Sequence, residues 1–192
     1  ILLALPVSLG VAVYTGILLG VLPFRPLWHT WLLPFLFTVS ALDTGVALVT
    51  GYAFFREKAD GVAKLRLALE ISAIVLIVAE AVILYLFVSA ALKGSQDAMR
   101  SAQVLTEGVL APYFWILVVG IGLGVPLLAC LVQLSGLYKV LRKAAGSIPL
   151  VAATSCLIGG LTLRFMVVMA GLPISLSSPV WEQIREGVRF IP

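Results

Sequence analysis

The chain has 192 residues, 61% of them hydrophobic and 11% charged, with a mean hydropathy of +1.14. Soluble domains are about 45–50% apolar and about 25% charged, so this balance excludes a soluble globular protein and a disordered one. The net charge of +4 is carried by the stretches between apolar runs, where it reads as a topology signal rather than a nucleic-acid surface.

Five apolar segments follow one another, over 1–22, 31–55, 65–92, 112–138 and 147–172. Each is near or above the roughly 20 residues needed to cross a bilayer as a helix. None alternates polar and apolar residues as a barrel strand does. The expected fold class is all-α, a polytopic transmembrane helix bundle of about five spans. Residue 1 is Ile, and no charged region precedes the first apolar run. The run is therefore not read as a signal peptide, and the expectation is that the N-terminal part of a longer protein is missing.

The first segment is read as the last helix of a missing first bundle, and 31–172 as a four-helix bundle. Residues 173–192 are read as an outer-face C-terminal tail. Pro34 and Pro149 fall in first turns and Pro112 at a helix start, where a fixed φ is tolerated. Pro126 falls mid-helix and predicts a kink. The stretches after the second and fourth segments carry Arg56, Lys58, Lys64 and Arg66, and Lys139, Arg142 and Lys143. The positive-inside rule places them in the cytoplasm. Arg25, Asp97 and the C-terminal tail then face outward from a cytoplasmic (inner) membrane. Trp28, Trp31, Tyr113, Trp115 and Trp181 fall at that outer boundary, as an aromatic belt does. The tail from Ser178 to Pro192 reads as an interfacial amphipathic helix or a docking strip.

Intramembrane polar residues carry most of the functional signal. Asp43 lies mid-way along the second segment. Glu70 lies in the cytoplasmic part of the third and Glu80 near its middle. Arg164 lies in the outer half of the fifth. A charge at the bilayer centre costs at least about 2.5 kcal/mol, so such residues face a bundle interior or water and often mark proton or substrate routes. The blander reading is a buried ion pair. One Arg neutralises one acid, however, and leaves two that must be neutral or reached by water. Glu70 and Glu80 stand 10 positions apart, about 280° around a helix. A wire through both therefore needs groups from other helices.

Gly120, Gly122 and Gly124, with Gly159 and Gly160, read as close-packing faces. No strand precedes them, so they do not form a nucleotide loop. Cys130 and Cys156 read as small apolar packing residues outside any metal-type spacing. The single His, His29, excludes a bis-His haem within this chain. It is either a solvated loop residue or a hydrogen-bond partner for a quinone carbonyl.

Two stretches carry a family resemblance. The first is Tyr14-Thr-Gly-Ile-Leu-Leu, followed by Pro26-Leu-Trp-His-Thr-Trp-Leu-Leu-Pro-Phe-Leu-Phe-Thr-Val-Ser-Ala-Leu-Asp-Thr-Gly-Val-Ala-Leu. The second is Gly159-Gly-Leu-Thr-Leu-Arg-Phe-Met-Val-Val-Met-Ala-Gly. Together they resemble the polysulfide reductase membrane subunit family, also called NrfD-like, from Val11 to Gly171.

The resemblance implies a member of eight or more helices in two bundles, without haem or metal. It implies exchange of electrons between membrane quinone (menaquinone or ubiquinone) and an outer-face, ferredoxin-like iron–sulfur subunit. A molybdopterin enzyme or a multihaem cytochrome often completes such complexes. Tyr14 matches a quinone-pocket tyrosine, and Arg164 the recurrent Arg of the last helix. The family often has a small or uncharged residue at Asp43, where this chain departs from it. The expected function is a quinone-interacting subunit that is not catalytic alone. Tyr14 and His29 would bind quinone, and Asp43, Glu70, Glu80 and Arg164 would form a proton path. The rival class is a transporter or channel for a small solute or ion. The segments show no internal repeat of the kind transporter folds carry.

Overall fold

The computed structural model describes residues 4–22, 25–55, 62–108, 110–135 and 147–171. Among them are six helices and no strand. They are α1 (Ala4–Gly20), α2 (Leu32–Phe55), α3 (Val62–Leu92), α4 (Gln96–Thr106), α5 (Ala111–Leu134) and α6 (Ile148–Gly171). The apolar segments expected from sequence agree with α1, α2, α3, α5 and α6 to within a few residues. The charged positions 56, 58, 139, 142 and 143, together with Trp181 and the whole 173–192 tail, lie outside the described residues.

The four long spans are apolar on nearly all sides. Each has the length and hydropathy to cross a membrane, and no more than half of any span's most apolar window is buried within the bundle. A helix that is apolar all round is matched to lipid or to further helices, not to water. α2 packs against α3 and α6, and α6 packs against α5, while α1 packs chiefly along α2. The α1–α2 contact is close because Gly16 lies directly on the Pro34 backbone.

The element that sequence reading missed is α4. It lies where a plain outer loop was expected between the third and fourth segments. Ser95 caps it by accepting from the Ala98 N–H at 3.4 Å, and Asp97 sits in its first turn. A serine cap and an acidic first turn both favour a helix start. Ala98, Ala102 and Leu105 form its buried stripe. Asp97 and Arg100 pair on its exposed face at 4.0 Å. The indole of Trp115 donates to the Thr106 carbonyl at 3.1 Å and ties the end of α4 to the start of α5.

Trp28 corrects a second expectation. It is not a belt residue but part of the core, 6% exposed, and its Nε1–H donates to the Val167 carbonyl of α6 at 2.9 Å. The turn over 25–31 folds inward, and the indole lies against Gly171, where a side chain would collide with it. Trp31 is 84% exposed, and Tyr113 and Trp115 are also exposed, as belt residues should be.

α5 shows how the chain accommodates Pro126. Its middle, Phe114–Gly124, is π-helical, and the α-helical part Val125–Leu134 begins beside the proline. Proline removes an N–H and clashes with the carbonyl four residues back. Wider i→i+5 turns just before it relieve that conflict, and π segments are frequent at functional sites. Gly122 in this stretch meets Gly159 of α6 backbone to backbone, with no room for a Cβ on either.

The two ends of the bundle differ. At the α4 end, Leu27, Trp28, Leu33, Phe37, Phe87 and Leu105 belong to one continuous apolar core. Toward the other end the buried apolar cluster shrinks to Ala47, Ala153 and Cys156. The space there has a few polar side chains set among the apolar ones.

Candidate functional site: a polar interior

Asp43 sits on the buried face of α2, which also carries Ser40 and Ala47. It is 2% exposed. Its Oδ2 accepts a hydrogen bond from the Cys156 thiol of α6 at 2.9 Å. This corrects the reading of Cys156 as an apolar packing residue: it is the hydrogen-bond partner of a buried carboxyl group. Glu80 of α3 is 4% exposed and lies within electrostatic reach of Asp43 and Arg164. The Ser40 hydroxyl neighbours the Glu80 carboxyl, yet its Oγ is buried and makes no hydrogen bond of good geometry. The threonine hydroxyls of α2, Thr38, Thr44 and Thr50, donate to carbonyls one turn back in their own helix. Such internal bonds satisfy a hydroxyl in an apolar environment. Ser40 is therefore the buried polar group available to a neighbour.

Two voids connect these residues. A cavity of about 30 Å³ is lined by Asp43, Glu70, Cys130, Gln133 and Cys156, with Thr50 and Pro126. Leu69, Ala73, Ile77, Ala152 and Ala153 complete a lining that is mostly apolar, and the volume exceeds the roughly 10–15 Å³ that one water molecule needs. A second, tighter void is lined by Asp43, Glu80, Gly122, Cys156, Gly159 and Gly160 and leaves no room for water. Asp43 and Cys156 are the two residues common to both.

The structure thus brings Asp43, Glu70 and Glu80 together through side chains of α2, α5 and α6, as the 280° separation of the two glutamates required. Arg164 is half-buried and forms no ion pair with Asp43 or Glu80 among the described residues. The neutralising pair weighed from sequence is absent from the described interior. Cys156, Cys130 and Ser40 were missed.

Tyr14 and His29 stand apart from this interior, and neither lines either void. Tyr14 is 60% exposed on α1. His29 is exposed, with Nδ1 3.1 Å from the Gly20 carbonyl at the end of α1. A carbonyl only accepts, so Nδ1 carries the proton in this arrangement.

Comparison with known proteins agrees with the resemblance. Residues 1–175 match the family described as Polysulphide reductase, NrfD. The sequence is 32% identical over 169 residues to the C subunit of polysulfide reductase from Wolinella succinogenes, covering 85% of this chain and 50% of that protein. It is 31% identical over 180 residues to protein NrfD of Escherichia coli K12, covering 89% and 51%. The chain spans about half the length of these curated relatives. No solved structure gives a significant match.

Proposed function

Because the chain belongs to the NrfD polysulphide reductase family, we propose that it is the part of a multi-pass membrane subunit that serves a respiratory oxidoreductase. In this reading the subunit exchanges electrons between membrane quinol or quinone, menaquinone or ubiquinone, and an iron–sulfur subunit docked at the α4 end. A molybdopterin or multihaem cytochrome subunit completes the complex. The α4 end faces outward from the inner membrane, and α1 belongs with the helices of a first bundle.

The observation that carries the proposal is the series of buried carboxyl residues inside an apolar bundle. Asp43, Glu70 and Glu80 share connected voids, and such groups are retained in membranes where protons or ions move. Quinol oxidation releases protons as well as electrons, so a quinone-handling subunit has use for them. Tyr14 and His29 fit a quinone by their chemistry. The exposed Tyr14 phenol can donate to a quinone oxygen, and His29 Nε2, an acceptor when Nδ1 donates to Gly20, can accept from a quinol O–H. The quinone supplies the two-electron chemistry, and the protein supplies hydrogen bonds and position. Glu80 and Asp43 hold protons at mid-depth, Glu70 lies nearer the cytoplasmic side, and Arg164 tunes the field at Glu80.

The test is the low-temperature EPR spectrum of the full-length protein purified from native membranes, before and after a reduced quinol analogue is added. Co-purifying cluster signals that become reduced by quinol support the proposal. A preparation without an iron–sulfur partner and without a quinol response overturns it in favour of solute or ion transport, which flux assays then measure.

Two substitutions refine the reading. Tyr14→Phe removes one hydrogen bond, worth about 1 kcal/mol, and should lower quinol turnover by roughly five- to tenfold while the complex still assembles. An unchanged rate removes Tyr14 from the site. Glu80→Gln keeps shape but carries no titratable proton. It should slow proton-coupled turnover by about 100-fold, the lower end of what a positioned proton-transfer group contributes. Turnover at the wild-type rate argues against a relay through Glu80.

A further inference from the structure

We propose that Cys156 is a positioning residue of the polar interior: its thiol holds the Asp43 carboxyl where, among the described residues, the water-sized cavity meets the closed seam, so that protons crossing between Glu70 and Glu80 pass through Asp43. The inference rests on the proton-handling part of the proposed function. It follows from three observations. The Cys156 S–H donates to Asp43 Oδ2 at 2.9 Å. Glu70 lines the cavity and Glu80 the seam, and Asp43 and Cys156 are the two residues that line both. The seam admits no water, so a proton leaving the cavity has no water wire to carry it and must be handed from one side chain to another.

The step conserves charge and atoms. A proton taken up by Asp43 from cavity water is passed to the Glu80 carboxylate. One O–H bond breaks at Asp43 and one forms at Glu80. The thiol keeps its own proton, and no electrons move. A carboxyl group held by one hydrogen bond has a fixed orientation, and proton transfer depends on donor and acceptor being within hydrogen-bond reach. Without the thiol the carboxyl group turns freely and the handover slows. Cys130, which lines only the cavity, has no such role.

Infrared difference spectroscopy of the purified full-length protein tests the contact directly. Subtracting Cys156→Ser from wild type isolates the S–H stretch of Cys156. That band should move to higher frequency when Asp43→Leu removes the acceptor. In the intact complex, Cys156→Val, which keeps the volume but has no donor, should lower proton-coupled quinol turnover about tenfold, the worth of one hydrogen bond to a buried acceptor. Cys156→Ser restores a donor and should stay within about threefold of wild type. Leu161→Ala, on the exposed face of the same helix and outside both voids, should leave the rate unchanged.

A band indifferent to Asp43→Leu overturns the proposal. So does a responsive band with a Cys156→Val complex that turns over normally, because the hydrogen bond is then only structural. If the wild-type complex does not turn over quinol, the proposed function fails separately. Proton conductance of the reconstituted protein under a pH gradient then decides: wild type and Cys156→Ser above Cys156→Val supports the junction, and equal conductances overturn it.

Discussion

Trp28→Ala should cost about 3–5 kcal/mol of stability, the range for truncating a large buried aromatic side chain. The indole is buried between the 25–31 turn, α2 and the end of α6, and closes against Gly171. Its removal opens a cavity at the α4 end of the core and cuts a polar tie between that turn and α6, the Nε1–Val167 bond. Trp28→Phe isolates the second contribution. It keeps most of the ring but loses the hydrogen bond, and should cost about 1 kcal/mol beyond the lost volume. Trp31→Ala, at a position 84% exposed, is the control and should be close to neutral. The measurement is a denaturant or SDS titration in mild detergent, followed by far-UV circular dichroism. Equal midpoints for Trp28→Ala and Trp31→Ala would show that Trp28 is an interfacial residue after all.

Gly159→Leu should lower stability by about 3 kcal/mol, the upper part of the range for overpacking a filled interior. Gly122 and Gly159 approach so closely that a single Cβ on either meets the other backbone. Neither helix has a flexible side chain there to move aside. α5 must separate from α6 to admit Leu, and that separation undoes the close approach that small residues permit between membrane helices. Gly45→Leu on α2 is the control, because a Cβ at Gly45 meets nothing. Replacing that glycine should be neutral or slightly favourable to the helix. If the two variants unfold at the same point, the Gly122–Gly159 contact contributes nothing to the packing.

The fold was legible because the signal for a membrane span is long and redundant. Twenty-odd apolar residues survive the gain or loss of any one, which is why α2, α3 and α6 fell within a few residues of expectation. α4 was hidden by contrast with its neighbours. Its buried stripe is only Ala98, Ala102 and Leu105, and its exposed face carries Gln96, Asp97, Arg100 and Gln103, so beside runs of Leu and Val it reads as a loop. The Ser95 cap followed by an i, i+4, i+7 apolar spacing was the available clue. Trp28 was misplaced because a tryptophan next to a span has two homes, the interface and the core. Only the tertiary fold of the turn decides between them.

The candidate interior was half legible. Acids in apolar runs announce themselves by their cost, so Asp43, Glu70 and Glu80 stood out. Cys156 did not, because a cysteine in an apolar run packs as readily as it hydrogen-bonds. The convergence of α2, α5 and α6 around one cavity depends on helix rotations that hydropathy leaves open when a helix is apolar all round.

The closed seam beneath Gly122 and Gly159 has an electrical consequence. A membrane voltage falls mostly across regions of low dielectric and little across water-filled ones. The seam between Asp43 and Glu80 and the continuous apolar core toward the α4 end are both dry, so the field falls across the two together. Moving one elementary charge through a full 100 mV is worth about 2.3 kcal/mol. A proton handed across the seam as proposed does electrical work there, so that step should respond to membrane potential, at the contact between two glycines and the pair of carboxyl groups beside it.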